Sequence, residues 1–387
     1  MKSKKLHRIR FISSNALRQV LVSIFSMVIP FLVIHWCTKE LWGSFVSLLL
    51  FSLLALQVIN WGNKEYLLRQ FSLHPNQIKV DYSRVLFTRL PLVFIFVVVA
   101  LFYFRVSFGL CLLLWLVGRF LSHSVEPLIL FEKKFTLAIR IEFGCFVVFV
   151  LALFLLQLQL NLTLLLLLYS LYQFAKGLLY FLTFSQSFSF KNLKIDWQYY
   201  RLTFPFFLLS ILGFLASKVD VYLMERLGNT IVTSDYQVIN SLLVFTMSLS
   251  AFLYAPFTKN IYRNNAAVIK KTQKLTAVAG VVLVPFSLLI IAIVLQYYLS
   301  LKLGYAFYIV AFLYVYPSFV YGIKVVDLFR QHREKNVVLI LFCGALANGI
   351  LSALFLYLDF GITGALFGSA LAQMLVLILF HFKHFEK

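Results

Sequence analysis

Hydrophobic residues run through this chain in long blocks, and short polar breaks separate one block from the next. Neither the alternation of a half-buried strand nor the one-sided stripe of a soluble helix describes them. Read as spans, the blocks cover 14–36, 43–61, 86–104, 107–125, 139–157, 162–185, 203–222, 236–258, 275–297, 303–323, 336–357 and 361–382. Each is close to the ~20 apolar residues that a helix needs to cross the hydrocarbon of a bilayer. No water is available there to satisfy backbone amides, so a lipid-exposed segment must bond its own, as a helix does. The pattern predicts an all-α polytopic membrane protein of about twelve transmembrane helices, with little chain outside the membrane.

Charge supports that count. Of the 35 Lys and Arg residues, 27 fall in the two terminal segments and in the connections after the second, fourth, sixth, eighth and tenth spans. The opposite side holds five: Lys39, Arg105, Lys218, Arg226 and Lys302. Basic residues are retained on the cytoplasmic face, so both termini are expected there. One missing or extra span would scramble a bias that holds at every connection. The same placement removes nucleic acid as a partner, because the net charge of +21 is dispersed over loops where topology and anionic headgroups account for it. Composition agrees: 62% hydrophobic and 13% charged, with a mean hydropathy of +0.91, where a soluble domain carries about 25% charged residues. Cys37, Cys111, Cys145 and Cys343 stand singly, without a CxxC pair or a metal-ligand spacing to histidine. No metal and no cofactor is expected, apart from H+ or Na+ as a coupling ion. The first apolar run lacks a small-residue cleavage site and reads as a retained helix.

The twelve spans divide six and six at the connection 186–202, giving an N-terminal six-helix lobe over 1–190 and a C-terminal one over 191–387. Small residues recur every four positions on the last two spans, Ala345, Gly349 and Ala353 on one and Gly364, Gly368 and Ala372 on the other. Such stripes let helix backbones approach closely in lipid.

Several motifs stand in a set order. The first span starts at Asn15 and contains Ile29-Pro30. An outer turn ends in Trp42-Gly43-Ser44-Phe45, and the second span closes on Asn60-Trp61-Gly62-Asn63-Lys64-Glu65. The seventh carries Lys218-Val219-Asp220-Val221-Tyr222, leading to Asp235-Tyr236. The eighth closes on Ala255-Pro256, and Asp359-Phe360-Gly361-Ile362-Thr363-Gly364 precedes the twelfth. In that order they resemble the polysaccharide-transporter branch of the multidrug/oligosaccharidyl-lipid/polysaccharide exporter superfamily, the O-antigen and capsule repeat-unit flippases. Asp235 departs from the pattern, since a glycine usually stands there. The resemblance implies a V-shaped alternating-access carrier in the bacterial cytoplasmic (inner) membrane, not an enzyme. Its cargo would be an undecaprenyl-diphosphate-linked oligosaccharide moved to the outer leaflet, with glycan polymerase machinery as a further partner.

Charges at bilayer depth are the candidates for that work, because each costs ~2.5–3.5 kcal/mol at a helix centre and so faces a wet cavity or a partner. Arg18 forms a polar stripe with Asn15, Gln19, Ser23 and Ser26; Arg119 lies in the fourth span, and Lys176 lies beside Tyr172 and Gln173 in the sixth. Arg18, Arg119 and Lys176, with Asn15, are expected to form a basic cavity for an anionic cargo; the competing reading is snorkelling to headgroups. Asp220 is the coupling-ion candidate, against a structural salt bridge to another helix. Glu126 and Glu142 read as interfacial residues at span ends, and His123 as a span-end residue. Asn60, Asn240, Asn348 and Gln373 read as interhelical hydrogen-bonding groups. Two other functions compete. A cation-coupled multidrug antiporter would rely on acidic membrane residues, whereas the charge here is mainly basic. A membrane-embedded glycan polymerase or acyltransferase would place its clusters on sizeable external loops, and the longest outer connection here is about 223–235.

Overall fold

The computed structural model describes residues 2–189, 193–254, 266–331 and 333–382. The Ala255-Pro256 motif, the centre of the 186–202 connection and the basic residues after Phe382 lie outside the described residues. Among those described the chain is helical, without strands. The helices are α1 (Lys2–Trp36), α2 (Lys39–Asn60), α3 (Asn63–Leu73), α4 (Ile78–Tyr103), α5 (Val106–Glu132), α6 (Phe135–Leu156) and α7 (Leu162–Thr183). They continue as α8 (Trp197–Leu227), α9 (Thr230–Tyr254), α10 (Ala266–Tyr298), α11 (Tyr305–Val315), α12 (Pro317–Arg330), α13 (Glu334–Tyr357) and α14 (Gly361–His381). Twelve segments among the described residues are long and apolar enough to cross a membrane, in the predicted order.

Two of these segments are each built from two helices. The second runs from Lys39 to Leu73, and α2 passes to α3 through Trp61 (φ 38°) and Gly62 (φ 68°), both left-handed. A Cβ on Gly62 would stand 2.7 Å from that of Phe206, so only glycine meets both the dihedral and the space. The Trp61 ring stacks on Phe207 at 4.0 Å, and its Nε1 donates to the Tyr200 carbonyl at 3.2 Å. The tenth span breaks between α11 and α12 at Pro317, which has no N–H for the helix ladder. Elsewhere the starts are capped in the ordinary way: Thr38 Oγ1 accepts from the Leu41 amide, and Asn161 Oδ1 from that of Leu164.

The chain divides into two compact units, Met1–Ile211 and Leu212–Lys387, and the division falls within α8. In the first unit α5 and α7 touch backbone to backbone. A Cβ on Gly118 would run into the Gln173 carbonyl, and one on Gly177 into the backbone of Gly118. In the second unit α13 and α14 pack in the same manner, where a Cβ on Gly368 would meet the Ser352 backbone. The stripe expected on the eleventh span is displaced by one residue. Gly344, Asn348 and Ser352 are the buried face, while Ala345, Gly349 and Ala353 are half-buried, and Gly349 looks toward Val219 of α8. Polar contacts mark the face: the Ser352 hydroxyl lies 2.8 Å from Asn348 Oδ1 and 3.0 Å from the Ala365 carbonyl and can donate to one or the other, which an alanine cannot do. The Gly364, Gly368 and Ala372 stripe is buried as expected.

Candidate functional site

In the first unit, the Gly118–Gly177 crossing sets the geometry of the charges. Because the backbones touch there, the next residues along, Arg119 on α5 and Lys176 on α7, are held in one layer. Lys176 is 4% exposed; its Nζ lies 3.2 Å from Glu142 Oε2 on α6 and 5.3 Å from the Tyr172 ring centroid. The other Glu142 oxygen accepts from the Tyr180 hydroxyl at 3.2 Å. Arg18 on α1 is 6% exposed and grips Glu126 of α5 with both guanidinium prongs, Nη1 to Oε2 at 2.7 Å and Nη2 to Oε1. This planar two-pronged pairing is the strong form of a charged hydrogen bond.

Glu126 and Glu142, read from the sequence as interfacial residues at span ends, are ion-pair partners inside the bundle. Both lie in the bodies of their helices, as partners of the buried cations Arg18 and Lys176. Helix overhang is the reason: α5 continues to Glu132 and α6 already begins at Phe135, beyond the apolar blocks on which the span ends were placed.

The basic cavity expected from Arg18, Arg119 and Lys176 takes a different form. Of these three cations, Arg18 and Lys176 meet carboxylates, and among the described residues Arg119 forms no salt bridge. Arg119 is half-buried, and its Nε has no hydrogen-bond partner. Asn15 Oδ1 is likewise buried without one. The rest of the predicted stripe on α1 is locally satisfied, since Ser23 bonds the Gln19 carbonyl and Ser26 that of Ser23. A cavity of about 130 Å³ opens beside the Arg18–Glu126 pair, lined by Glu126, His123, Asn60, Asn63, Lys64 and Ser210 among others. His123 lies within the body of α5, not at its end, and its ring is within electrostatic reach of Arg119, Lys176, Lys64 and Arg89.

Arg89 was not among the candidates. It is 0% exposed; it donates to Ser124 Oγ at 2.8 Å and to the Ile59 carbonyl at 3.5 Å, and stands 5.2 Å from the Phe120 ring centroid. Its position early in an apolar block grouped it with the basic connection. The helix α4 begins at Ile78, however, which buries Arg89 three turns in.

The second unit holds Asp220 in a closed set of donors. The carboxylate is 0% exposed. Its Oδ2 accepts from the Tyr236 hydroxyl at 2.5 Å, from Ser369 Oγ at 2.9 Å and from Asn240 Nδ2 at 3.3 Å. Its Oδ1 accepts from the Val221 amide at 2.9 Å. Among the described residues no cation forms a salt bridge with it. Lys218 reaches it only through Asn240, whose Oδ1 accepts from Nζ at 2.6 Å. Asn240 and Asn348, read from sequence as interhelical bonders, do bridge helices: Asn348 Nδ2 donates to the Ala216 carbonyl of α8 at 3.0 Å. Gln373 does so too, accepting from Tyr321 at 3.0 Å. No group of three or more His, Cys, Asp or Glu side chains that could hold a metal occurs among the described residues.

Twelve spanning helices with charged interiors make this a multi-pass membrane protein, and its fold is that of solved transporters of the MOP superfamily. One similar structure is the lipid II flippase MurJ in an inward closed conformation, with a TM-score of 0.67 at 12% identity over 96% of this chain and 86% of that one. Two more are MATE family multidrug resistance transporters of the MOP superfamily. The inward-facing form gives a TM-score of 0.60 at 13% identity, covering 92% of each chain. The outward-facing form gives 0.61 at 11%, covering 96% of this chain and 93% of that one. No family model matches the sequence, and no curated protein does.

Proposed function

We propose that this protein is a flippase that carries an undecaprenyl-diphosphate-linked oligosaccharide from the cytoplasmic to the outer leaflet, for O-antigen, capsule or exopolysaccharide assembly. The observation that carries the reading is the excess of cations in the first unit: Arg18, Arg119 and Lys176 against Glu126 and Glu142, with Arg119 left without a carboxylate among the described residues. An anionic headgroup gains most from a guanidinium that is desolvated and not already matched. The likeness to a lipid II flippase supports a lipid-linked cargo. Asp220 would be the coupling group. Its neighbours Tyr236, Ser369 and Asn240 donate to it and favour its ionised form, and as bonded here they offer a Na+ ion no acceptors.

A second reading has its own support. Glu126 and Glu142 are the interior carboxylates that a multidrug antiporter for organic cations requires, and two of the similar structures are of that kind. Deleting the gene separates the two. Loss of surface polymer, with the lipid-linked unit accumulating on the cytoplasmic face, supports the flippase. Unchanged surface glycan with raised sensitivity to cationic drugs refutes it in favour of the antiporter.

A further inference from the structure

At the face where α10 and α13 begin and α12 and α14 end, the second unit encloses a cavity of about 440 Å³. Three separate segments bring cations to its lining: Lys270 from α10, Lys324 from α12 and Arg333 before α13, joined by His381 at the end of α14. The general excess of basic residues on this side does not require such convergence, since charge that only fixes topology can be spread over exposed loops.

Among the described residues, the one carboxylate of the lining is already engaged. Asp327 Oδ1 accepts from Arg330 Nε at 2.9 Å, and Oδ2 accepts from Gln331 Nε2 at 2.9 Å. Lys324 is anchored by donation to the Phe380 carbonyl at 3.1 Å, with His381 Nδ1 at 3.4 Å. That places its ammonium where α12 meets the end of α14. Gln273 and Asn336 add polar side chains to the same lining. The remaining wall is apolar, formed by Ile269, Leu328, Ile340, Leu379, Phe380 and Phe382. A positive mouth on an apolar wall fits an amphiphile with an anionic head.

We propose that this cavity is a binding site for a phosphate-bearing anion, and that a phospholipid headgroup seated at the membrane edge supplies the phosphate. Basic pockets between transmembrane helices bind acidic headgroups by this combination of charge and apolar wall. The site lies wholly in the second unit, shares no residue with the charge cluster of the first, and does not depend on the transport reading.

The test is native mass spectrometry of the full chain in detergent, titrated with phosphatidylglycerol, phosphatidylcholine or inorganic phosphate. The wild type is compared with Lys270→Gln/Arg333→Gln and with a control, Lys133→Gln/Lys134→Gln. Retention of phosphatidylglycerol over phosphatidylcholine, weakened about thirtyfold in the first variant and unchanged in the control, is the expected result, at roughly fivefold per basic residue. Equal retention of the two lipids, or equal loss in the control, overturns the proposal. Displacement of phosphatidylglycerol by millimolar inorganic phosphate would keep the anion site and overturn the lipid as its source. If the double variant does not fold, Lys270→Gln alone, at an exposed side chain, gives the same comparison with about a fivefold shift.

Discussion

Removing Glu142 tests whether the buried pair with Lys176 is real and what it does. At 3.2 Å and an effective dielectric of about 20, the attraction is ~5 kcal/mol. Both side chains are nearly inaccessible, at 5% and 10% exposed, so several kcal/mol of desolvation per ion opposes it. The net worth of the intact pair is therefore small, yet breaking it is expensive. Glu142→Gln or Lys176→Met alone strands one buried charge and is expected to cost about 3–5 kcal/mol. The double variant strands none and should cost about 1 kcal/mol or less, which makes the coupling energy at least about 5 kcal/mol. A neutral hydrogen bond between membrane helices averages only ~0.6 kcal/mol, so the cycle distinguishes an ion pair from an ordinary contact. Unfolding titrations of the four proteins in mixed micelles supply the energies. Additivity within about 0.5 kcal/mol would show that the two groups do not interact and would refute the structural argument. The folded double variant then serves the functional question: full glycan export without Lys176 would remove it from the cargo site.

Four further outcomes follow from the same geometry. Gly177→Ala should lower the apparent Tm and the yield of folded protein sharply, because its methyl group enters the Gly118 backbone; an unchanged melting curve would disprove the close crossing. Arg89→Lys should cost about 1–3 kcal/mol, since an ammonium cannot span Ser124 and the Ile59 carbonyl as the guanidinium fork does; equal stability in unfolding titrations would contradict the assigned contacts. Asp220→Asn sets an amide among three donors and should lose about 1–3 kcal/mol, while Tyr236→Phe, which removes one charged hydrogen bond, should lose ~1.5–3 kcal/mol. On the proposed coupling role, Asp220→Asn protein that still folds should also export glycan without pH dependence, and a wild-type pH profile would exclude Asp220.

Hydropathy made the spans legible because one energy dominates there: apolar length against hydrocarbon thickness. It worked even across Pro317, where the ladder breaks but the apolar run does not. The same measure gave no sign that Arg89, Glu126 and Glu142 are packed inside the bundle, each in a stretch where a helix begins before its apolar block or outlasts it. A signal for Glu126 was present, since Arg119, His123 and Glu126 fall at steps of four and three on one helix face. Nothing comparable announced Glu142, whose partner lies on another helix, or the pairing of Arg18 with a residue 108 positions away. Buried charges read from sequence are counted one at a time, and their compensation belongs to the tertiary structure. The eleventh span shows the same limit at smaller scale. Its alanine–glycine stripe and its Gly344–Asn348–Ser352 stripe have equal spacing, and only the partner helix selects between them.

Compensation also changes what the membrane potential can do to the proposed carrier. If Arg18, Arg119 and Lys176 were all unpaired, a step that exposed them across the field would respond to three charges, at about 2.3 kcal/mol each per 100 mV. With Glu126 and Glu142 seated on two of them, one of these three is left unpaired among the described residues. A single diphosphate would then over-neutralise the cluster unless it displaced a carboxylate, and the bidentate Arg18–Glu126 pair is the harder of the two to open. Lys176, whose ammonium meets Glu142 at one oxygen only, is the cation that a phosphate would recruit next after Arg119. Flux in vesicles should accordingly vary with potential by about one charge, a fiftyfold change per 100 mV at most by the same figure. A threefold steeper exponent would mean that the pairs are open in the empty state, and no dependence would mean that the cluster does not change its exposure during transport.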